Sequence, residues 1–259
     1  MGAQQDLTAD DLADFAERGW VLSRPFTPAD VELLREWITE VQQWDDSGDW
    51  MNHYEMIAGS PRKCRTEYFT PFHDGLRKIL TSGAIRSGAE SLLGEPVALY
   101  KEKINYKLAG GAGWEAHQDA PAYPFIHAHV SCMIAVDAAN AANGCLEVVS
   151  GMHHELIATD VRGCIPADLV RTMSWETIPM EAGDVLWFHS RTPHRSGDNS
   201  SPHDRRAVYP TFNAIREGDL RENYYAAKRE ELRRRAASVE RVRISLIDDF
   251  RGIPVSDAS

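Results

Sequence analysis

From Pro96 onward the chain consists of short alternating runs of apolar and polar residues, and these runs constrain the fold more than any other feature. The runs are VALYKEKINYKL, HAHVSCMIAVDA, GCLEVVS, DVLWFHS and RRAVYPTFNAI. The turn-forming stretches AGGAG, NAANG, EAGD and SGDNSSPHD separate them. Many short strands punctuated by Gly, Asn and Asp are typical of antiparallel barrels and double-sheet sandwiches. The sequence therefore predicts a mainly β core over about residues 96–216.

Helices are predicted before this core. Thr8 and Thr27 are candidate N-caps, because each precedes a run with apolar residues at helical spacing, and Gly19 is a candidate helix end. The stretch GWVLSRPF between these helices reads as a short strand. Residues 44–62 are rich in turn-formers and are predicted to be loop, and one helix is predicted over residues 74–94.

A further helix is predicted after the core, over about residues 219–243, where glutamates interleave with arginines as on a solvated helix packed against the barrel. We expect a single domain over residues 1–259, with a helical N-terminal part of about 7–94.

The composition excludes several classes of partner. The net charge of −11 disfavours binding to nucleic acid or to an anionic membrane surface. No apolar run approaches the length of a membrane span, and the polar start MGAQQDLTADD does not resemble a signal peptide. The four cysteines are scattered without C-x-x-C spacing, which indicates reduced thiols. We therefore expect a cytoplasmic protein that binds neither nucleic acid nor membrane, as a monomer or a homodimer.

A histidine and an aspartate lie two positions apart in the stretch EAHQDAPAYP, between two runs that read as strand. Residues i and i+2 of a strand face the same side, so His117 and Asp119 are expected to converge. An imidazole and a carboxylate suit a divalent first-row metal. The pair alone also fits a surface histidine–aspartate hydrogen bond, and that alternative stays open at this point.

A third candidate ligand lies far downstream. The strand-like run DVLWFH leads into a turn that carries His194, and a further strand begins at Arg205 or Arg206. Two histidines and one carboxylate form the facial triad of non-haem Fe(II) oxygenases. An arginine on the strand after His194 is placed to hold an anion, although a surface salt bridge is the more common role of a single arginine.

These pieces together resemble the phytanoyl-CoA dioxygenase family of Fe(II)/2-oxoglutarate oxygenases. The similar segments are HQD at 117–119, NGCLEVVSGMH at 143–153, GDVLWFH at 183–189 and HRSGDN at 194–199, followed by RRA at 205–207. The opening around GWVLSRPF is also similar, so the resemblance covers most of residues 7–215. One departure is Ser-Gly-Met at 150–152, where the family has Pro-Gly-Ser.

The resemblance implies a double-stranded β-helix core, also called a jelly roll or cupin-like core, with flanking helices. It implies a dioxygenase that uses Fe(II), 2-oxoglutarate and O2 to hydroxylate an unactivated C–H bond. The implied iron ligands and catalytic residues are His117, Asp119 and His194. The presence of Asp119 favours hydroxylation or another outcome of hydrogen abstraction such as desaturation, because related halogenases lack this carboxylate.

The resemblance also implies contacts to cosubstrate and substrate. Arg205 would pair with the distal carboxylate of 2-oxoglutarate, with Arg206 as the alternative. Further predicted cosubstrate contacts are Asn105, Ser131 and Lys103. Predicted substrate contacts are Lys107, Tyr123 and His129.

The substrate is less constrained than the chemistry. Lys101, Lys103 and Lys107 alternate at strand spacing and share one face, which favours a small polar or anionic substrate. The two stretches KEKINYK and HQDAPAY are most similar to the branch of the family that hydroxylates small phosphonates. An amino acid or a natural-product intermediate remains an alternative substrate, whereas the sequence offers no obvious basic cradle for a coenzyme A nucleotide.

Three other interpretations remain open. His127 and His129 form a second i, i+2 pair, which is the start of a cupin-type metal site, but no glutamate follows at suitable spacing. A different class of function is a non-catalytic jelly-roll module that binds a metal or another ligand and in which H-x-D is incidental. Arg65 and Glu67, if extended, share a face and form either a structural ion pair or a contact to substrate.

Overall fold

The computed structural model describes residues 6–123 and 125–236 of the chain. Its strands are β1 Trp20–Ser23, β2 Met51–Ile57, β3 Ser60–Glu67, β4 Val97–Lys107, β5 Trp114–His117, β6 His129–Ala135, β7 Leu146–Val148, β8 Glu176–Thr177, β9 Val185–His189, β10 His194–Ser196 and β11 Arg205–Ala214. Its helices are α1 Ala9–Arg18, α2 Pro28–Gln43, α3 Asp74–Thr81, α4 Gly83–Leu93, α5 Ala167–Val170 and α6 Arg221–Ala236.

The strands form two antiparallel sheets. The larger has seven strands in the order β1-β9-β6-β11-β4-β3-β2, and the smaller has four in the order β5-β10-β7-β8. Strand neighbours are distant in sequence: β11 pairs with β4 over ten residue pairs and with β6 on its other side. The prediction of a mainly β fold with flanking helices is confirmed.

The first two helices begin at the predicted residues. Thr8 and Thr27 each accept a hydrogen bond from the backbone three residues later, and an aspartate at that third position bonds back to the capping residue. Gly19 ends α1 with a φ of 82°, a left-handed conformation that glycine adopts without strain. The predicted short strand between them is β1, which forms one edge of the seven-stranded sheet.

The prediction of one helix over residues 74–94 was wrong. The segment forms α3 and α4, which meet at Ser82, whose backbone is extended. The hydroxyls of Thr81 and Ser82 donate to the carbonyls of Arg77 and Lys78, so they satisfy groups at the end of α3 without a continuing helix.

The prediction of loop over residues 44–62 was also wrong in its second half, where β2 and β3 form a hairpin. Its turn is Ala58-Gly59, with φ angles of 49° and 80°. The inward-facing residues of β2 include His53 and Glu55, both buried. Because two of its buried positions are polar, β2 lacks the apolar alternation by which a half-buried strand is recognised.

The C-terminal helix α6 packs against β4, as predicted for a helix lying on the barrel. Its tyrosines Tyr224 and Tyr225 are buried in a cluster with Tyr100 and Tyr123. The part of the predicted helix after residue 236 lies outside the described residues.

The apolar core runs between the seven-stranded sheet and the helices, and it includes the large side chains of Trp187, Phe212, Leu34 and Ile38. All four cysteines are buried and free of disulfides. None of the helices in the described ranges combines the length and the apolar character that crossing a membrane requires.

Candidate metal centre

The two predicted histidine ligands are neighbours across one strand pair. His117 is the last residue of β5 and His194 is the first residue of β10, and the two lie directly opposite each other in the smaller sheet. Their ring centroids are 4.2 Å apart. His194, predicted to lie in a turn, opens strand β10, and strand pairing brings it to His117.

Asp119 joins the two histidines by a different route from the one predicted. The strand β5 ends at His117, and Asp119 has helical backbone angles, φ −70° and ψ −31°, just before a short 3-10 turn. Side-chain alternation along a strand therefore does not bring His117 and Asp119 together. The chain bends after His117, and this bend directs the carboxylate towards the same point.

The backbone orients both rings. The Nδ1 atom of His117 donates to the carbonyl of Glu115 at 2.7 Å, and the Nδ1 atom of His194 donates to the carbonyl of Thr192 at 3.0 Å. Each ring consequently presents Nε2 to Asp119. Anchoring of the second ring nitrogen by a carbonyl is the usual support of a histidine that binds a metal.

The distances among the three groups fit a cation. Each Nε2 atom lies about 4 Å from Oδ1 of Asp119, at 3.9 Å for His117 and 4.0 Å for His194, which is too long for a hydrogen bond. The three ligand atoms all lie within 4.8 Å of one another. Two imidazoles and one carboxylate are a suitable donor set for Fe(II).

The protonation states also suit a metal. Burial would raise the pKa of Asp119, but Lys101 and then His194 and Lys103 more than offset burial and keep it below its ordinary value. Burial and the neighbouring His117 lower the pKa of His194 to about 4. At neutral pH Asp119 is therefore ionised and His194 is neutral, as metal ligands must be.

The alternative metal pair is not assembled. His127 is exposed and His129 is buried against the ring of Tyr123 at 5.3 Å. Among the residues that the structure describes, only His117, Asp119 and His194 form a group of three or more His, Cys, Asp or Glu placed to share an ion.

One cavity contains the triad and most of the other predicted site residues. It is lined from both sheets, and all the predicted residues except His129 contribute to its wall: His117, Asp119, His194, Arg205, Asn105, Ser131, Lys103, Lys107 and Tyr123. His129 lies behind Tyr123. The cavity also has wall residues outside the predicted site set, among them Lys101, Thr211, Tyr209, Trp114 and Glu55.

One end of the cavity is built around Arg205 and Lys107, which are paired across β11 and β4. Both side chains donate to the carbonyl of Gly144, and Lys107 also donates to the Ser196 hydroxyl at 2.8 Å. A Cβ atom on Gly144 would lie 2.3 Å from the carbonyl oxygen of Gly197, so the Asn-Gly turn requires glycine at this position. The turn thus holds both cations at this end.

The two adjacent arginines face opposite sides, as alternation on β11 requires. Arg205 is buried in the cavity wall, and its Nη1 atom has no hydrogen-bond partner among the described residues. Arg206 makes two hydrogen bonds to Asp137, at 2.8 and 2.9 Å, and does not line the cavity.

The other end of the cavity lies level with Asp119. Lys101, Thr211 and Ser131 form a row across three paired strands, β4, β11 and β6. The Ser131 hydroxyl lies 2.8 Å from that of Thr211 and donates to Asp119 at 3.3 Å. The ammonium of Lys101 lies 4.2 Å from the centroid of the Tyr123 ring.

Three of the wall residues missing from the predicted site set follow from strand alternation. Counting back from Lys107 by twos along β4 reaches Asn105, Lys103 and Lys101, and counting forward from Arg205 along β11 reaches Tyr209 and Thr211. Strand alternation had already placed Lys101 on one face with Lys103 and Lys107, and the same rule applied from Arg205 would have found Tyr209 and Thr211. It would not have found Trp114 or Glu55, which enter from β5 and β2.

Comparison with known proteins finds a family model and relatives that match most of the chain. The family model described as Phytanoyl-CoA dioxygenase (PhyH) matches residues 15–207. A methylphosphonate hydroxylase of Gimesia maris is 45% identical over 252 residues, which cover 96% of this chain and 97% of that protein. A 2-aminoethylphosphonate dioxygenase from the uncultured bacterium HF130_AEPn_1 is 32% identical over 90% of this chain and 92% of that one.

Solved structures show the same fold. EctD from S. alaskensis, in a crystal structure with 2-oxoglutarate and 5-hydroxyectoine, has a TM-score of 0.74 at 17% identity, over 82% of this chain and 77% of that one. The carbocyclase SnoK from nogalamycin biosynthesis has a TM-score of 0.68 at 21% identity, over 83% and 88% of the two chains. At these identities the likeness concerns the fold, and it confirms the predicted jelly-roll core.

Proposed function

The chain belongs to the phytanoyl-CoA dioxygenase family of Fe(II)- and 2-oxoglutarate-dependent oxygenases, and on that basis we propose that it hydroxylates a C–H bond of a small phosphonate. The family accounts for the reaction type. The names of the two relatives support the substrate class, and so does the charge of the cavity wall.

His117, Asp119 and His194 would hold the iron, since their ligand atoms face one another within 4.8 Å. With 2-oxoglutarate and dioxygen, the iron supplies the oxidising power that converts a C–H bond into C–OH, while 2-oxoglutarate becomes succinate and carbon dioxide. The chain's own contribution is to fix both imidazoles through their Nδ1 hydrogen bonds and to keep Asp119 ionised.

The end of the cavity around Arg205 would hold the distal carboxylate of 2-oxoglutarate. The partnerless Nη1 atom of Arg205 is a buried donor in the cavity wall, and such a donor is costly unless a ligand satisfies it. Lys107 donates to the same carbonyl as Arg205, so we assign Lys107 to the cosubstrate, although the sequence had suggested a substrate contact.

The observation that carries the substrate class is the surplus of positive charge in the wall. Lys101 and Lys103 line the cavity in addition to the Arg205–Lys107 pair. The acidic wall residues within the described ranges are Asp119 and Glu55. Asp119 is the proposed iron ligand, and burial raises the pKa of Glu55 to about 7, which leaves it partly neutral. Lys101 and Lys103 therefore keep the wall positively charged when 2-oxoglutarate is bound at the Arg205 end, and a positively charged wall favours a substrate that carries an oxyanion.

The experiment is turnover of methylphosphonate by the full chain with Fe(II), 2-oxoglutarate and O2. Succinate formation should depend on methylphosphonate, and ³¹P NMR should show conversion of the methyl group into hydroxymethyl. Acetate, which has a carboxylate in place of the phosphonate, is the matched control and should not stimulate succinate formation.

Two results would refute the proposal in different ways. If no small phosphonate stimulates succinate formation but an amino acid does, the substrate class is wrong. If the chain neither binds iron nor consumes 2-oxoglutarate with any substrate, a non-catalytic jelly-roll module is the better description.

A further inference from the structure

The two ends of the cavity carry different cationic side chains. The register between β4 and β11 pairs Lys107 with Arg205 and Lys101 with Thr211. The two pairs lie six positions apart along each strand, which corresponds to about 20 Å at the rise of an antiparallel strand. Lys103 lies between the ends, 5.3 and 5.8 Å from the ring centroids of Tyr209 and Trp114.

The triad lies towards the Lys101 end. Asp119 accepts from Ser131, which stands in the same cross-strand row as Lys101 and Thr211. A cosubstrate that extends from the metal to Arg205 therefore leaves the Lys101 end unoccupied.

The Lys101 end also has an unsatisfied buried hydroxyl. Tyr123 is 2% exposed and lines the cavity, and its hydroxyl faces Thr211 and Asp119 without making a hydrogen bond of good geometry to any described residue. A buried hydroxyl without a partner is uncommon in a folded protein and indicates a ligand or water at that position. Its ring lies against the Lys101 ammonium at 4.2 Å, and it packs on Tyr100 and, from α6, Tyr224.

We propose that Lys101 and Tyr123 form the phosphonate-binding subsite, on the opposite side of the metal from the Arg205–Lys107 subsite for 2-oxoglutarate. This inference rests on the proposed function. Lys101 contributes a charge-assisted hydrogen bond to one phosphonate oxygen, and the Tyr123 hydroxyl donates to another. The packing of Tyr123 between Tyr100, Tyr224 and His129 holds its ring in place.

The test is a crossover of two matched lysine substitutions on one strand face. Lys101→Met and Lys107→Met each remove one ammonium and keep a linear side chain of similar length. In the anaerobic Fe(II)–2-oxoglutarate enzyme, calorimetry measures the dissociation constant of methylphosphonate. Lys101→Met should raise it at least tenfold and Tyr123→Phe about fivefold, while the 2-oxoglutarate requirement changes less than twofold. Lys107→Met should raise the 2-oxoglutarate requirement at least tenfold and change the dissociation constant of methylphosphonate less than twofold.

A folding check and an Fe(II) titration accompany each variant, so that loss of metal binding is separated from loss of substrate binding.

If wild-type protein does not bind methylphosphonate, both the subsite and the proposed function are overturned. If wild type binds and oxidises it, but Lys101→Met and Tyr123→Phe bind it equally well, the subsite is wrong and the proposed function stands. If wild type binds it through Lys101 without oxidising it, the subsite stands and the proposed function fails. If Lys101→Met weakens only iron binding, Lys101 serves Asp119 and the subsite is wrong.

Discussion

The Lys228 ammonium of α6 donates to both carboxylate oxygens of Glu67 on β3, at 2.7 and 2.6 Å, and both side chains are buried. Burial alone would raise the pKa of Glu67, but Lys228, then His53 and Arg65, hold it well below its usual range. Arg65 bonds to Glu67 at 3.3 Å and donates to Asn105 in the cavity wall at 2.9 Å. A helix outside the barrel is thereby connected to the back of the site.

Removing one partner of the Lys228–Glu67 pair should destabilise the fold strongly. Lys228→Met leaves a buried carboxylate without its main counter-charge, and we expect a loss of about 3–5 kcal/mol in the free energy of unfolding. The double variant Lys228→Met/Glu67→Gln should lose clearly less than the sum of the single losses, because the ammonium and the carboxylate are removed together and neither of the two is left buried without the other. Urea denaturation of the four proteins measures this cycle, and additive losses would show that the pair is not coupled.

Substituting a ligand of the triad should weaken metal binding and abolish turnover while the fold persists. Asp119→Ala removes the carboxylate from the set of three ligand atoms, and we expect no succinate above background. The exposed His127→Ala is the matched surface control and should bind Fe(II) as wild type does. Fe(II) titration monitored alongside circular dichroism checks the prediction, and substantial activity in Asp119→Ala would contradict the triad.

Substituting each of the two adjacent arginines in turn should separate an effect on cosubstrate binding from an effect on stability. Arg205→Met should raise the KM for 2-oxoglutarate about 10- to 100-fold, the value of one lost charge-assisted hydrogen bond. Arg206→Met breaks the pair with Asp137 outside the cavity and should lower thermal stability without altering that KM. Steady-state kinetics on both variants test the assignment of Arg205 to 2-oxoglutarate. Equal shifts of the KM for 2-oxoglutarate in the two variants would refute it.

Glu55 should make stability pH-dependent. It is 3% exposed, and burial raises its pKa to about 7, above the usual 4.5. The folded state therefore binds a proton that the unfolded state has released between about pH 4.5 and 7, so stability falls as pH rises through this window. Relative to Glu55→Gln, wild type should lose about 2–3 kcal/mol from pH 4.5 to 8. Denaturation of both proteins across this range tests it, and parallel stability curves would show that Glu55 titrates normally.

An aminoalkyl phosphonate should be a poorer substrate than methylphosphonate. The acidic wall residues in the described part of the chain are Asp119, the proposed iron ligand, and Glu55, which faces the backbone of Gly111 and Ala112. An ammonium group beside Lys101 would then meet a like charge and no counter-ion. We expect kcat/KM, measured by succinate release, to be at least tenfold lower for 2-aminoethylphosphonate than for methylphosphonate. Equal values would contradict the proposed distribution of charge in the cavity wall.

Local sequence determined the chemistry of this protein but only part of its elements. Thr8, Thr27 and Gly19 predicted helix boundaries because capping depends on residues within one turn. The three ligand types and Arg205 were recognisable from short motifs. The hairpin of β2 and β3 was missed because its buried face carries His53 and Glu55, whose burial depends on partners such as Glu67 and on the backbone after Lys107.

Tertiary structure decided how those residues are arranged. Alternation predicts which side chains of β4 share a face, but the pairing of Lys107 with Arg205 and of Lys101 with Thr211 depends on long-range register. That register separates the proposed cosubstrate end from the proposed substrate end, which three identical lysines cannot reveal in sequence. The same holds for Asp119, which a bend rather than a strand turns towards His194, and for Lys228, which reaches Glu67 across 161 residues. Contacts made between distant segments depend on how the sheets and helices pack, and no local pattern encodes them.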